Sequence, residues 1–447
     1  MWTVAQLAAG LAGGKTSSRE LVEQALARIG EQGGEGSRAF LKVYAESARA
    51  DADAADRLRK AGVRRSAVDG LPVSLKDLFD VAGDVTRAGS RILENQPPAR
   101  EDAGAVARLR AAGAIFVGRT NMVEFAFGGV GLNPHYGTPK NPFDRKAGRV
   151  PGGSSSGAAV AQADGMCVMA LGSDTRGSIR GPAALCGLVG WKPTAARVPR
   201  AGAFPLSFTL DSVGPLVNSV ACAVAYDAVL AGESEQALTD LPVKGLRLLL
   251  PRSSAIEDLD KEVAAAFETS LSKLSKAGAS IVERPVPAFD RQAEYFKGGG
   301  FAGAEAYHIH RASQERIGEY DPRVGKRVLL GKSLTASDYL LFADLRAAYM
   351  REIGALAAPF DAILMPTVPC IAPTIAQADA SDDDYFRWNG RILRNNGLIN
   401  FLDGCAASVP CHAQGTAPAG LMVCGTAGTD RHTLAAAAAI ERALARN

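Results

Sequence analysis

Short apolar runs alternate with amphipathic helical stretches along the chain, and this alternation restricts the fold to a few classes. Residues 45–61 predict a helix, residues 71–75 a buried strand, and residues 114–117 the next strand. Asp102 is predicted to cap the helix between these two strands, and this helix ends at Gly113. The pattern indicates an α/β fold in which a mixed β-sheet is flanked by α-helices on both faces.

The same alternation continues toward the C-terminus. Residues 8–14 predict a helix that runs out into glycine, and Ser17 to Glu20 form a capping box that begins the next helix. Further helices are predicted at residues 156–163, 220–230, 261–277, 301–312, 336–357 and 433–445, and further strands at 168–171, 246–250, 279–282, 362–365 and 420–424. We find no internal repeat.

The length of the chain, 447 residues, would allow two or three domains. However, no stretch rich in proline, in glycine and serine, or in charge separates one part from another. The 47% of hydrophobic residues can bury a large core. We therefore expect a single domain over residues 1–447.

Charge and cysteine content narrow the function classes and the compartment. A net charge of +3 provides no broad field for nucleic acid or an anionic membrane, so a small-molecule partner is expected. No signal peptide is recognised, and no apolar stretch approaches the roughly 20 residues that span a bilayer, which favours a soluble protein. The seven cysteines are scattered and odd in number, as expected for reduced thiols in the cytoplasm.

Two segments rich in glycine and hydroxyl side chains lie on either side of a short apolar stretch. The first is residues 151–157 (Pro-Gly-Gly-Ser-Ser-Ser-Gly), and the second is residues 172–180 (Gly-Ser-Asp-Thr-Arg-Gly-Ser-Ile-Arg). Glycine lets backbone N–H groups approach a ligand closely, and serine supplies an oxygen that attacks a carbonyl or relays a proton. The segments indicate acyl chemistry. A phosphate-binding loop is disfavoured because no Gly-Lys-Ser or Gly-Lys-Thr follows the glycines.

A serine nucleophile needs a base, and the sequence favours a lysine for this role. The five histidines lie in no obvious motif, so a Ser-His-Asp triad has weak support. A lysine can act as the base if burial keeps it neutral. Lys76 is the candidate because it ends the predicted buried strand at residues 71–75. Lys140 and Lys192 are alternatives, but each lies beside a turn-like proline sequence, which favours an exposed or structural role.

Other polar residues have structural interpretations. Asp174 and Arg180 lie on either side of Ser178 and are expected to pair beneath the loop. His308 and His310 would share one face of a strand, but their surroundings predict a helix and no third ligand is near in sequence. A metal site is therefore disfavoured.

Several segments match one family in the same order along the chain. They are residues 70–77 (Gly-Leu-Pro-Val-Ser-Leu-Lys-Asp), 118–125 (Gly-Arg-Thr-Asn-Met-Val-Glu-Phe), the two serine-rich segments, 186–187 (Cys-Gly), 192–194 (Lys-Pro-Thr) and 211–215 (Asp-Ser-Val-Gly-Pro). With these motifs the chain resembles the amidase signature family, whose members hydrolyse amides with a Ser-Ser-Lys triad. The similarity is dense from about residue 70 to about residue 220. It is weaker beyond, where residues from about 290 to about 410 are expected to shape the substrate pocket.

The resemblance implies a role for each matched residue. Ser178 is expected to be the nucleophile, Lys76 the base, and Ser154 the bridging serine after a cis peptide bond from Gly153. The backbone N–H groups of Thr175, Arg176, Gly177 and Ser178 are expected to form the oxyanion hole, and Met122, Gly153, Ser155 and Arg176 to contact the substrate. Tyr307, Trp388, Asn396 and Asn400 are further candidates for the pocket. No metal or cofactor is implied, and a homodimer is compatible with this interpretation.

The chain departs from the family at two positions. Arg176 stands where relatives have the first glycine of Gly-Gly-Ser, and arginine does not freely adopt a positive φ. If the backbone fits, its guanidinium can bind a carboxylate or a polar substrate; if not, activity is damaged. Met422 stands where relatives tend to have glutamine, a change that the core architecture should tolerate.

The function expected from the resemblance is hydrolysis of an amide bond in a small, non-peptide molecule. One alternative within the family is the amidase subunit of a tRNA-dependent amidotransferase, which passes ammonia from glutamine to partner subunits. An alternative of another class is a catalytically silent binding or partner subunit, which the arginine in the oxyanion loop suggests.

Overall fold

The computed structural model describes residues 3–234 and 237–445, whose strands form one mixed sheet. The strands are β1 (Phe40–Val43), β2 (Pro72–Lys76), β3 (Ile115–Thr120), β4 (Met169–Asp174), β5 (Val189–Lys192), β6 (Ser212–Val217), β7 (Arg247–Arg252), β8 (Ser280–Pro285), β9 (Ala362–Pro366), β10 (Cys405–Pro410) and β11 (Gly420–Gly425). Their spatial order is β1-β3-β2-β4-β6-β5-β10-β11-β9-β7-β8. This sheet is the frame on which the functional residues are placed.

Helices cover the sheet. They are α1 (Val4–Ala12), α2 (Ser18–Ile29), α3 (Gly36–Ala39), α4 (Ala45–Lys60), α5 (Gly104–Ala111), α6 (Ser156–Ala163), α7 (Arg180–Cys186), α8 (Val220–Ala231), α9 (Lys261–Lys276), α10 (Gln292–Tyr295), α11 (Gly300–Ile309), α12 (Pro322–Leu330), α13 (Ala336–Ala357), α14 (Ile375–Ala378), α15 (Asp382–Phe401) and α16 (Asp430–Leu444). As predicted, Ser17 and Glu20 form a capping box at the start of α2.

Both faces of the sheet are buried, as β3 illustrates. Phe116 belongs to one hydrophobic cluster, whereas its neighbours Ile115 and Val117 belong to another. Successive side chains of a strand point to opposite faces, so apolar residues at all three positions require helices on both sides. The expected α/β architecture, a single domain with a mixed sheet flanked by helices, is confirmed.

The register of the central strands brings distant segments together. β2 pairs in parallel with both β3 and β4, and Leu75 lies opposite Leu171. The carboxyl ends of β2 and β4 therefore lie side by side at one edge of the sheet. This places Lys76, at the end of β2, next to the segment that begins the second glycine and serine cluster.

The structure also corrects the sequence-based elements. Asp102 does not cap α5, whose N-cap is Ala103 without a side-chain hydrogen bond; its carboxylate accepts from the Ala82 N–H and from Arg110 instead. Strands β1, β5, β6 and β10 were not predicted. β1 is short and half-exposed, and β6 contains Gly214 and Pro215, which weaken the strand signal.

In the ranges 3–234 and 237–445, no helix combines the length and the apolar character that a membrane crossing requires.

Candidate active site

The amine of Lys76 lies in the protein interior among hydroxyl groups. Its side chain is fully buried. Nζ donates hydrogen bonds to Ser154 Oγ at 2.8 Å and to Ser173 Oγ at 2.9 Å. No carboxylate of the described residues pairs with it, so the charged form of this lysine has no direct counter-ion.

Burial therefore controls the protonation of Lys76. Removal from water lowers the pKa of this amine to about 7, and the more distant charges of Asp174 and Asp211 only partly oppose the shift. A large fraction of the molecules then carries a neutral amine at neutral pH. A neutral amine is a base that can accept a proton from a hydroxyl group.

The backbone segments that carry Ser154 and Ser178 lie beside each other. The Gly153–Ser154 peptide bond is cis, as the resemblance implied. The Ser155 N–H donates to the Ser178 carbonyl oxygen at 3.3 Å, which ties the two segments together. Ser178 is nearly buried and lines a small cavity, and among the described residues its hydroxyl makes no hydrogen bond. The hydroxyl is thus free to meet a substrate.

The carboxylate of Asp174 organises the loop that carries Ser178. It accepts from the Gly177 N–H at 2.7 Å and from the Ile179 N–H at 3.1 Å. The prediction that the Gly177 N–H belongs to the oxyanion hole is therefore wrong in this conformation, because that donor is already occupied. The N–H groups of Thr175, Arg176 and Ser178 make no such bond within the described part of the chain, and these three donors are available.

A buried ion pair supports the loop from below, as expected for Asp174 and Arg180. Arg180 Nη2 lies 2.9 Å from Asp174 Oδ1, and both side chains are fully buried. Asn400 donates to the same carboxylate at 2.9 Å. Although burial opposes ionisation, the charge and hydrogen bonds of Arg180, together with Lys192 and Asn400, hold the pKa of Asp174 well below its usual range. Met422 fits this network, since its sulfur accepts from Arg180 Nη1 at 3.2 Å.

The backbone accommodates the unusual Arg176. Gly177, not Arg176, has the positive φ, at 115°. A Cβ atom at Gly177 would lie 2.4 Å from Asn396 Cβ, so the second position of the family's Gly-Gly pair is the one that needs glycine. The guanidinium of Arg176 stacks on Phe296, with Cζ 3.7 Å from the ring centre. Burial lowers the pKa of Arg176 to about 9, and the positive charge of Arg327 contributes.

The cavity at Ser178 combines two arginines with small and apolar residues. Its volume is about 10 Å³, which is room for about one water molecule. The lining consists of Ala126, Phe127, Gly128, Thr175, Arg176, Ser178, Leu206, Ala302, Arg327 and Leu393. A larger cavity of about 320 Å³ adjoins it, because Ala126, Thr175 and Leu206 line both, and Ser173 also lines this larger one. Sequence analysis assigned no role to Ser173 or Arg327.

Three of the four predicted substrate contacts do not line the cavity. Met122 is fully buried in the core, where a Cβ atom on Gly89 would lie 2.9 Å from its Cγ, and its contact with substrate stays a prediction. Gly153 and Ser155 lie on either side of Ser154 in the chain, but their N–H groups donate to the carbonyl oxygens of Gly129 and Ser178. Arg176 is the one predicted contact that reaches the cavity.

The C-terminal candidates support the loop or lie elsewhere. Asn396 packs on Gly177, and Asn400 binds Asp174, so both hold the loop rather than line the cavity. Tyr307 and Trp388 are also absent from the lining. The C-terminal half instead contributes Ala302, Arg327 and Leu393.

The alternative bases have structural environments. Lys192 is buried and donates to the carbonyl oxygens of Pro193 and Gly404 at 2.7 and 2.6 Å. Lys140 is partly exposed. His308 and His310 lie at the end of α11 and in the 3-10 helix that follows, and no cluster of potential metal ligands occurs in the described ranges.

Comparison with known proteins agrees with this arrangement. The model of the family described as Amidase matches residues 20–434. The chain is 37% identical to 2-amino-5-chloromuconic acid deaminase of Comamonas testosteroni, over 88% of this chain and 86% of that protein. It is 36% identical to a Glutamyl-tRNA(Gln) amidotransferase subunit of Anaeromyxobacter dehalogenans (strain 2CP-C), over 98% and 95% of the two chains.

A solved structure shares the whole fold. The protein described as an amidase superposes with a TM-score of 0.88 at 33% sequence identity, covering 99% of both chains. Nearly the entire length is thus accounted for by one family in sequence and in structure. The chain belongs to the amidase signature family, and it is a hydrolase that acts on amide carbon–nitrogen bonds.

Proposed function

We propose that this protein hydrolyses an amide bond of a small, non-peptide molecule with Ser178 as nucleophile, Ser154 as proton relay and Lys76 as base. The observation that carries the proposal is the buried amine of Lys76, which contacts Ser154 Oγ at 2.8 Å and whose pKa burial lowers to about 7. A lysine that is neutral near pH 7 can start a proton relay without histidine.

In the first step, Ser154 passes a proton to Lys76 while Ser178 passes its own proton to Ser154. Ser178 Oγ attacks the amide carbonyl carbon, and the carbonyl oxygen becomes an oxyanion. The free N–H groups of Thr175, Arg176 and Ser178 are the donors that stabilise this charge. The buried Asp174 keeps the loop in shape through its bonds to Gly177 and Ile179.

In the second step, the tetrahedral intermediate collapses and the carbon–nitrogen bond breaks. The relay runs in reverse, so Ser154 gives a proton to the leaving nitrogen and recovers one from Lys76. Ammonia or an amine leaves, and the acyl group stays on Ser178. Water then attacks the ester and gives a proton to Ser154, which passes its own to Lys76. The carbon–oxygen bond to Ser178 breaks, the acid is released, and Ser178 regains its proton from Ser154 as Lys76 returns one to Ser154. The proposed cycle needs no cofactor.

The decisive experiment replaces the attacking oxygen. Ser178→Ala should lower ammonia release from simple amides by about 10⁴-fold or more, because the variant lacks the attacking oxygen and the neighbouring residues cannot supply one. Ser156→Ala is the matched control: its hydroxyl is buried in the other serine-rich segment, residues 151–157, without a hydrogen-bond partner among the described residues, so activity should be kept.

A fluorophosphonate should label Ser178 in the wild type. Peptide mapping that places the label on Ser154 or Ser155 would reverse the roles of the serines, and full activity of Ser178→Ala would remove Ser178 from the mechanism.

A role within an amidotransferase is favoured by one observation, the match to one of its subunits over 98% of this chain. Co-purification with partner proteins and glutamine-dependent ammonia release would support it, whereas turnover of simple amides by the isolated chain supports the hydrolase. The alternative of a silent partner rested on Arg176. It loses that basis because the backbone at Arg176 needs no positive φ.

A further inference from the structure

The cavity at Ser178 contains two positive charges and no negative one. Arg176 and Arg327 both line it, and no aspartate or glutamate is among the lining residues. The other lining side chains are apolar or uncharged. Both guanidinium groups therefore lie at the same small cavity as the Ser178 hydroxyl.

Arg176 is held in place without a counter-ion. Its guanidinium lies flat on the Phe296 ring, with Cζ 3.7 Å from the ring centre. Within the described ranges Nε is buried without a hydrogen-bond partner, and no carboxylate lies within ion-pair distance of the side chain. The stacked ring fixes the plane of the guanidinium, which leaves its remaining N–H groups for a ligand.

Arg327 is also held by an aromatic ring, and it has two neutral hydrogen-bond acceptors. It stacks on Phe127 at 4.2 Å, and its Nη1 donates to the Phe127 carbonyl oxygen at 3.1 Å and to Asn389 Oδ1 at 3.3 Å. These acceptors are neutral. Nothing in the described part of the chain forms an ion pair with Arg327 either.

Other buried arginines of this protein are treated differently. Arg119 lies 2.7 Å from Asp77, and Arg180 lies 2.9 Å from Asp174. Buried charges are costly unless an opposite charge is near, so such pairs are the rule. Arg176 and Arg327, which are partly buried, form no ion pair among the described residues, and both line the cavity at Ser178. Their mutual repulsion lowers further the pKa of Arg176, which burial has already lowered.

We propose that Arg176 and Arg327 together bind a carboxylate of the substrate, so that the protein acts on acidic amides, namely monoamides of short dicarboxylic acids. The amide carbonyl would lie at Ser178 and the carboxylate between the two guanidinium groups. Planar guanidinium groups bind carboxylates through paired hydrogen bonds, and both arginines line the same small cavity as Ser178, which limits the chain to a few carbons. This inference rests on the proposed amide hydrolysis.

The test compares acidic amides with neutral ones of similar length. Succinamate and glutaramate are paired with butyramide and pentanamide, and kcat/KM is measured from ammonia release. The wild type should prefer each acid over its neutral partner. Arg176→Gly and Arg327→Gln should each lower kcat/KM on the acids about 10- to 150-fold more than on the neutral amides, as expected for a lost charge-assisted hydrogen bond.

Lys326→Gln is the matched control. It removes one positive charge from the same helix, but Lys326 is exposed and pairs with Asp382, so the acid preference should be kept. Equal losses on acidic and neutral amides in both arginine variants would overturn the inference. If one variant does not fold, as judged by its melting temperature, the other decides.

A binding measurement separates this inference from the proposed function. Glutaramate should bind to the Ser178→Ala variant in a calorimetric titration, and binding should weaken by a similar factor when Arg176→Gly or Arg327→Gln is added. If the wild type turns over no amide, the proposed hydrolysis fails, while this titration still decides whether the arginines bind a carboxylate. Absence of glutaramate binding, or binding that neither arginine change weakens, would overturn the carboxylate site.

Discussion

Two buried lysines end two strands of the same sheet, and they have different surroundings. Lys76 ends β2 and Lys192 ends β5, and both are at most 1% exposed. Burial lowers the pKa of both amines, to about 7 for Lys76 and to about 8 for Lys192, where the charge of Arg180 contributes. Yet Lys76 contacts two hydroxyl groups, whereas Lys192 contacts two backbone carbonyl oxygens.

The acceptors decide what each lysine can do. A hydroxyl group can donate or accept, so Lys76 can lose a proton and still keep its partners. A carbonyl oxygen only accepts, so the two contacts of Lys192 have no proton that this amine could take up. A lowered pKa marks both sites, but only the hydroxyl environment suits a base. Three predictions test this distinction.

The largest effect is expected at Lys76. Lys76→Ala should lower kcat/KM for a simple amide by several orders of magnitude at neutral pH, on the order of 10³-fold or more, because Lys76 is the one base that contacts Ser154 among the described residues. Activity should recover partly as pH rises, since hydroxide can replace the missing base. A variant with the wild-type rate and pH profile would remove Lys76 from the mechanism and make the two lysines equivalent.

An intermediate effect is expected from pH. The wild-type kcat/KM should fall about tenfold per pH unit below pH 7, where Lys76 becomes protonated, and level off above it. The pKa of Lys76 in the folded protein lies below the ordinary value of 10.5. Between these two pH values the unfolded chain therefore binds more protons than the folded protein does. The contribution of Lys76 to the free energy of unfolding therefore rises with pH across that window and is least favourable below it.

A pH profile of kcat/KM without a titration near pH 7 would contradict the assignment. The profile of the Lys192→Met variant serves as the control, and its midpoint should match the wild type.

The smallest effect on activity is expected at Lys192. Lys192→Met leaves the carbonyl oxygens of Pro193 and Gly404 without their donor, at a cost of about 1–3 kcal/mol in the free energy of unfolding. The folded variant should keep kcat/KM within about threefold. Urea denaturation gives the stability and ammonia release gives the rate. A loss of activity comparable to that of Lys76→Ala would show that Lys192 takes part in catalysis.

Local patterns predicted much of the fold and of the reactive centre. Lys76 was identified because it ends an apolar run, and the observed β2 ends at this residue. The strands that were missed are those whose composition hides them: β6 contains Gly214 and Pro215, and β10 begins Cys-Ala-Ala-Ser. Their place in the sheet is set by long-range pairing, as between Ala170 and Leu216.

The parts of the site that sequence reasoning missed depend on contacts between distant segments. Ser173 reaches Lys76 because β2 and β4 pair in parallel, and the position of Ser173 within its motif does not reveal this register. Arg327 comes from a helix without a recognisable motif, far along the chain from Ser178. The occupied Gly177 N–H was equally hidden, because its bond to Asp174 is a detail of loop geometry.

The contact of Asn400 with Asp174 also constrains how the protein is made. Asp174 and Asn400 are 226 positions apart, and Arg180 also reaches the Asn400 side chain, at 2.6 Å. A ribosome has therefore synthesised Lys76, Ser154 and Ser178 long before it adds Asn400, which supports the loop that carries Ser178. During that interval the nascent chain contains these three residues, but the loop of Ser178 lacks its contact with Asn400. Premature termination before Asn400 would give a product that contains every reactive residue and lacks the support that aligns them.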